Sequence, residues 1–346
     1  MSSIQRKFTN FHNAIKLSRE DNKYRDAREK DESILTALKV AFKEAGYPVI
    51  ESFIQGSLST ATAIKHSKND FDIDRALVID AVNAPDDPVE VKKLVCSILE
   101  KRGFKHAKIK MPCVTADYAS LNLHIDIVVY RKRGDSYELA VGKRNSSNAI
   151  KKWSPSDPRG LINKINDKSS YIYNGSSEDK LSQFKRLVRF MKRWRDEKFE
   201  DTVRKKVYSI GITVMLKEQF KPSLNEDGKP DDLQSLRDTV AAILNGGYFI
   251  PLVDGNYRVR VDLPVMPFRN IFDGSSVATG TQFWNKLNAM LRKLDDALAE
   301  ESMEKQCNIL SELFGDDFET TDESDRNASA KAVFSSAGSV GTSQGA

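Results

Sequence analysis

The 346-residue chain is 40% hydrophobic and 30% charged, with a formal net charge of +5, a composition that allows a sizeable core and, at about 100 to 200 residues per domain, two domains or one two-lobed one. No run approaches the roughly 18 apolar residues of a membrane span, MSSIQRKFTNFHNAIKLSRED has no apolar signal region, and three scattered cysteines (Cys96, Cys113, Cys307) argue against a disulfide framework or a zinc site; the chain reads as cytoplasmic. Residues 315–346 carry six acidic residues against Arg326 and Lys331, which leaves the preceding part at +9. A basic body favours polyanionic partners.

In chain order, Ile34, Leu35, Leu38, Ala41 and Phe42 recur at helical spacing and predict a helix over about residues 29–45, stopped by Gly46. VIESFIQ (49–55) reads as a strand that ends at Gly56-Ser57, with a helix expected from Leu58 to Ile64. FDIDRALVI is a second strand and VEVKKLVCSILEKRG (89–103) a helix. HAKIKM, LNLHIDIVVYR (121–131) and YELAVGK then read as three successive strands. From about residue 157 the pattern turns helical, through DPRGLINKIND, EDKLSQFKRLVRFMKRWRDEK, YSIGITVMLKEQF, DLQSLRDTVAAILNG and TQFWNKLNAMLRKLDDALAEES. YFIPLVDGNYRVRVDLPV (248–265) interrupts it as a short hairpin. The expected fold class is α+β, with a catalytic lobe over 1–156 that includes an N-terminal helix, a helical lobe over 157–314 and a flexible, small-residue tail over 315–346.

The chemistry is concentrated in a few residues. Side chains alternate along a strand, so Asp72 and Asp74 share one face. Their repulsion calls for a neutralising cation or for solvent. Asp126, flanked by Ile125 and Ile127 on another predicted strand, completes a cluster of three carboxylates if the two strands lie together. Hard oxygen ligands with open positions suit Mg²⁺ bound together with substrate phosphates, the pattern of a two-metal phosphoryl-transfer site. Gly56 permits close backbone approach, and Ser57 offers a hydroxyl and an N–H at the start of a predicted helix, where phosphate binds well.

An apolar residue, Gly56-Ser57, a spacer, Asp72-Ile-Asp74 and a later apolar-flanked Asp126 resemble the signature of the DNA polymerase β-type nucleotidyltransferases. GSLSTATAI with DFDID, WSPSDPRGLINKIN, LSQFKRLVRFMKRWR and VYSIGITVMLKE are further similar to the bacterial cGAS/DncV-like nucleotidyltransferases (CD-NTases) of CBASS anti-phage systems, over roughly residues 30–310. The resemblance implies a two-lobed polymerase β-like fold. It implies two Mg²⁺ (or Mn²⁺) ions on Asp72, Asp74 and Asp126, which also serve as the catalytic residues, and donor binding by Gln55, Gly56 and Ser57. It further implies that a lysine of the long helix and a serine at the start of the next one hold the triphosphate; Lys185 and Ser209 match best, with Lys192 as the alternative. The implied reaction joins nucleoside triphosphates such as ATP and GTP, without a template, into a cyclic oligonucleotide that acts on a downstream effector. Competing readings are a linear oligonucleotide-adding enzyme and a catalytically silent nucleic-acid-binding protein. The tail ending in Gly345-Ala346 fits either conjugation at Ala346 by an E1/E2-like protein or an ordinary frayed terminus.

Overall fold

The computed structural model describes residues 3–18, 20–65, 71–104, 107–118, 123–169 and 177–320. The elements run α1 (Ser3–Ile15), α2 (Asn22–Glu44), β1 (Val49–Gln55), α3 (Gly56–Ser59), β2 (Phe71–Asp80), α4 (Pro88–Lys101), β3 (Lys108–Ile109), β4 (Val114–Tyr118), β5 (Leu123–Arg133), β6 (Ser136–Val141) and β7 (Lys152–Ser156). The helical half follows as α5 (Pro158–Asn166), α6 (Ser177–Lys198), α7 (Asp201–Arg204), α8 (Ser209–Gln219), α9 (Asp232–Asn245), the strands β8 (Phe249–Pro251) and β9 (Tyr257–Val259), α10 (Val277–Ala299) and α11 (Met303–Phe314).

Seven strands form one mixed sheet in which β1, β2, β5, β4 and β3 are neighbours in that order, with β6 joined to β5 and β7 to β6. The β2–β5 pair is parallel, and the other pairs of this sheet are antiparallel. Alternation sorts the strand residues between two faces. Ile73, Leu77, Ile125 and Ile127 pack under α2 and α4 with Ile34, Leu38, Phe42, Val95 and Leu99. The opposite face buries Phe53, Ala76, Val78, Val128, Tyr130 and Leu139, with Ile162 of α5 against them. Arg75 follows Asp74 and so points the other way, where it is 4% exposed and paired with Asp31 (Nε to Oδ1, 2.9 Å) and Glu32. That guanidinium ties β2 to α2.

Caps explain several boundaries. Asp87 accepts from the Val89 N–H ahead of α4 (2.8 Å), and Asp157 accepts from the Gly160 N–H ahead of α5 (2.7 Å), each with proline at the first helical position. The expected helix from 58 to 64 is instead the four-residue α3. Thr60 and Ala61 turn out of it, Ala61 with φ 53°, and the Thr62 N–H closes the turn on the Ser57 carbonyl at 2.8 Å. VTADY is a strand that the sequence reading passed over, as is KWSPS, whereas HAKIKM contributes only two strand residues.

The ends of the chain depart from the expected divisions. Phe8 and Phe11 of α1 sit in the helical core, 5.4 and 5.1 Å from the ring of Phe190. Phe318, beyond the expected end of the folded part, is 1% exposed and stands 5.2 Å from Phe8 and 5.3 Å from Phe11. Arg193 holds Asp317 at 2.7 Å. Residues 321–346, and with them the expectation for Gly345 and Ala346, lie outside the described residues. Among the described residues no helix is long and apolar enough to cross a membrane, and all three cysteines are free and buried. Replacing Phe318 by Ala should cost about 3–5 kcal/mol of unfolding free energy in a denaturant titration; a loss below about 1 kcal/mol would show that the aromatic clasp is dispensable.

Candidate active site

Strand register gathers the polar residues into two rungs on one sheet face. In the first, Gln55 pairs with Asp74, Asp74 with Asp126, and Asp126 with Thr115, across β1, β2, β5 and β4. In the second, Asp72 pairs with His124 and His124 with Asp117. The carboxylates of the two sequence motifs thus become neighbours because β2 and β5 run parallel without an offset. Thr115 donates to Asp126 Oδ1, and Lys110 Nζ lies 3.6 Å from the same oxygen. His124 bridges the second rung, with Nδ1 3.1 Å from Asp72 Oδ1 and Nε2 3.3 Å from Asp117 Oδ1.

Asp74 carries the electrostatic strain. Burial, then Asp126, then Asp72 push its carboxyl up to about 7 from 3.8. The thiol of Cys113 is pushed up to about 12 by burial and by Asp126. Gly56 explains how the Asp74 carboxylate fits at all: its φ is +64°, and a Cβ there would stand 2.1 Å from Asp74 Oδ2. Only glycine meets both demands. Gln55 accepts from the Tyr130 hydroxyl at 3.0 Å, which fixes the residue ahead of the Gly-Ser turn.

The opposite wall comes from α6. Its basic face is buried on the segment between α3 and β2. Arg189 donates to the Ala61 and Ala63 carbonyls, Lys192 to the Thr62 carbonyl (3.0 Å) and hydroxyl (3.3 Å), and Arg193 to the Lys65 carbonyl (2.6 Å). Arg189 Nη1 also meets His12 Nε2 at 3.0 Å; burial and this cation lower the imidazole to about 3, so the ring accepts as a neutral base. Carbonyl oxygens satisfy these cations without cancelling their charge. Lys192 is accordingly lowered to about 7, first by burial and then by Arg195 and Arg189.

Between the walls lies a cleft of about 520 Å³ lined by Gln55, Gly56, Ser57, Asp72, Asp74 and Asp126 on one side and by Lys192, Arg195 and Ser209 on the other. Lys185, the first choice for a phosphate-binding lysine, does not line it; Lys192, two turns along the same helix, does. Ser209 accepts from Arg195, which also donates to Asp196 at 2.7 Å. Sequence reading missed Arg195, Thr115, His124 and Lys110. Thr115 and Asp117 alternate as Asp72 and Asp74 do, and that was the available signal.

Three carboxylates on adjacent strands, one shifted towards its protonated form by burial and by the other two, form a donor set suited to a hard divalent cation. Among the described residues no three His, Cys, Asp or Glu side chains stand in ready-made ligand geometry; Asp126 is turned to Thr115 and Asp72 to His124. The residues fit a cation once these two carboxylates are released to it.

The sheet, the rungs and the cleft define a two-lobed nucleotidyltransferase fold. Residues 1–169, just under half of the chain, match the family of Second Messenger Oligonucleotide or Dinucleotide Synthetase domains, and the chain is similar in sequence and fold to bacterial cGAS/DncV-like nucleotidyltransferases. A curated relative, the cyclic GMP-AMP synthase of Escherichia albertii, is 29% identical over 209 residues, 57% of this chain, and the match spans only 43% of that protein. The fold is shared with E. coli MS115-1 CdnC solved with ATP (TM-score 0.63, 17% identity, 91% of this chain and 98% of that one). It is also shared with Bradyrhizobium diazoefficiens CdnG solved with GTP (0.66, 14%, 92% and 97%), and with the Vibrio cholerae DncV cyclic AMP-GMP synthase solved with a linear intermediate (0.58, 15%, 78% and 69%).

Because the Asp74 carboxyl titrates higher in the fold than its ordinary 3.8, the cation-free fold binds that proton more tightly than the unfolded chain. Its contribution to stability is complete below about pH 4 and is lost as pH rises through about 7. Asp74→Asn, which keeps the shape without the charge, should melt with the wild type at pH 4 and above it at pH 8 in chelator; a pH-independent difference would refute the charge argument.

Proposed function

We propose that the chain is a Mg²⁺-dependent nucleotidyltransferase that joins nucleoside triphosphates into a cyclic oligonucleotide second messenger, a purine-containing cyclic dinucleotide such as cyclic GMP-AMP, in bacterial anti-phage defence. The observation that carries this reading is the pair of facing walls. One holds three carboxylates, the other buried cations, and the cleft between them has room for a nucleotide.

Asp72, Asp74 and Asp126 would hold the divalent cations, Mg²⁺ or Mn²⁺, which activate the acceptor hydroxyl and balance the charge of the leaving pyrophosphate. The chain's own residues do the rest. Ser57, through its hydroxyl and N–H, and Lys192, Arg195 and Ser209 hold the donor's phosphates in place of water. Because α3 is a single turn, the Gly-Ser contribution is one of local N–H groups and not of a helix dipole. Asp126 stands where a 3′- or 2′-hydroxyl of the acceptor loses its proton. That oxygen bonds to the α-phosphorus as the bond to the β-phosphate's bridging oxygen breaks and pyrophosphate leaves. The linear product then turns over in the same cleft, and its own hydroxyl repeats the attack to close the ring.

Incubation with the four nucleoside triphosphates and Mg²⁺ should yield a phosphatase-resistant product, identified by mass spectrometry, that Asp126→Asn abolishes. A phosphatase-sensitive ladder would favour a linear-adding enzyme, and salt-sensitive nucleic-acid binding with no pyrophosphate release would favour a silent binding protein. Loss of a charge-assisted phosphate contact at Lys192→Ala should weaken triphosphate binding about 10- to 100-fold, while Lys185→Ala stays within about twofold; the reverse order would restore Lys185 to the site.

A further inference from the structure

The cleft is chemically two-ended. Towards α6 its cations have partners: Lys192 on Thr62, Arg195 on Asp196 and Ser209. Elsewhere α5 and the segment 263–269 contribute Leu161, Ile162, Leu263, Val265 and Met266, an apolar lining of the kind that covers a base and not a phosphate. A third cation, Arg269, lines the same cleft, and its guanidinium makes no hydrogen bond or ion pair with any described residue.

The backbone that carries Arg269 is fixed. Its carbonyl accepts from the Leu263 N–H at 2.9 Å, and the Phe268 N–H closes on the Val265 carbonyl at 2.8 Å. The next residue, Asn270, accepts through its side chain from the Val261 and Phe272 N–H groups at 3.1 and 3.0 Å. The charge lies close enough to the catalytic face to act, as Asp74 does, on the hydroxyl of Tyr130. Arg269 is exposed, and its guanidinium, without a partner among the described residues and carried on a pinned backbone beside an apolar lining, is open to a ligand that supplies two acceptors.

We propose that this end of the cleft takes a nucleobase and that Arg269 selects guanine by donating to O6 and N7. A guanidinium only donates. Guanine shows two adjacent acceptors on that edge, adenine an acceptor and a donor, cytosine a donor and uracil a single acceptor. The phosphates are served by the α6 end, so Arg269 is left for the base. This specificity rests on the synthase reading only for what the bound nucleotide does next, because binding can be measured without turnover.

The test is equilibrium competition binding to Asp126→Asn protein with Mg²⁺, comparing GTP, ATP, inosine triphosphate, which keeps both acceptors, and 7-deaza-GTP, which lacks N7. GTP and inosine triphosphate should bind about 10- to 100-fold more tightly than ATP and 7-deaza-GTP. Arg269→Ala should bring all four within about threefold, with Arg269→Lys between. Absence of a GTP preference, or equal loss of GTP and ATP in Arg269→Ala, overturns the proposal, the latter by assigning a phosphate contact. If wild-type protein releases no pyrophosphate from any mixture yet keeps the preference, the synthase reading fails and the guanine contact stands.

Discussion

The parallel pairing of β2 with β5 places Asp74 directly beside Asp126, and much of the molecule is arranged around what that costs. Two carboxylates on one rung, with a third two residues away, repel each other in a half-buried setting. The fold accommodates them by shifting Asp74 towards its protonated form, up to about 7, by a threonine and a lysine beside Asp126, and by a histidine beside Asp72. Gly56 leaves the space into which the Asp74 carboxylate projects. Arg75, adjacent in sequence and able in principle to neutralise the cluster, is committed to Asp31 on the other face.

The facing wall has the opposite imbalance. Burial lowers Lys192 to about 7 from its ordinary 10.5, so its favourable contribution is present at high pH and is lost as pH falls through that interval. Near neutral pH Asp74 and Lys192 are thus each drawn towards the uncharged form by their surroundings. Divalent cations favour the first as an anion, and a polyphosphate favours the second as a cation. A site so built gives up stability when empty and recovers it on loading.

The fold's outline and the triad were legible because alternation and helical spacing are local. FDIDRALVI and LHIDIVV announce strands whose carboxylates share a face, and DPRG announces a capped helix start. Partners across strands were not legible. Thr115, His124 and Asp117 become neighbours of the triad only through register, and VTADY is too short and too mixed to stand out. Lys185 and Lys192 are seven residues apart and so lie on nearly one helix face, about 10.5 Å apart along the axis; periodicity gives the face but not the height. Phe318 sits in an acidic, polar context that reads as tail, and its burial depends on Phe8 and Phe11 more than 300 residues earlier.

One short segment joins the two walls. Residues 61–65 follow the Gly-Ser turn, and their carbonyls receive Arg189, Lys192 and Arg193. The spacing between cationic wall and carboxylate wall is thereby set by main-chain oxygen atoms, which no side-chain substitution within the segment removes. These bonds tie the position of α6 to the backbone that leads from Ser57. Residues 263–269 are bound to neither wall in this way. They are pinned instead through Asn270 and Val261, so substitution of their cleft-lining side chains leaves the hydrogen bonds that join the two walls in place. That separation leaves the apolar end of the cleft structurally independent of the carboxylate rungs and of the buried cations.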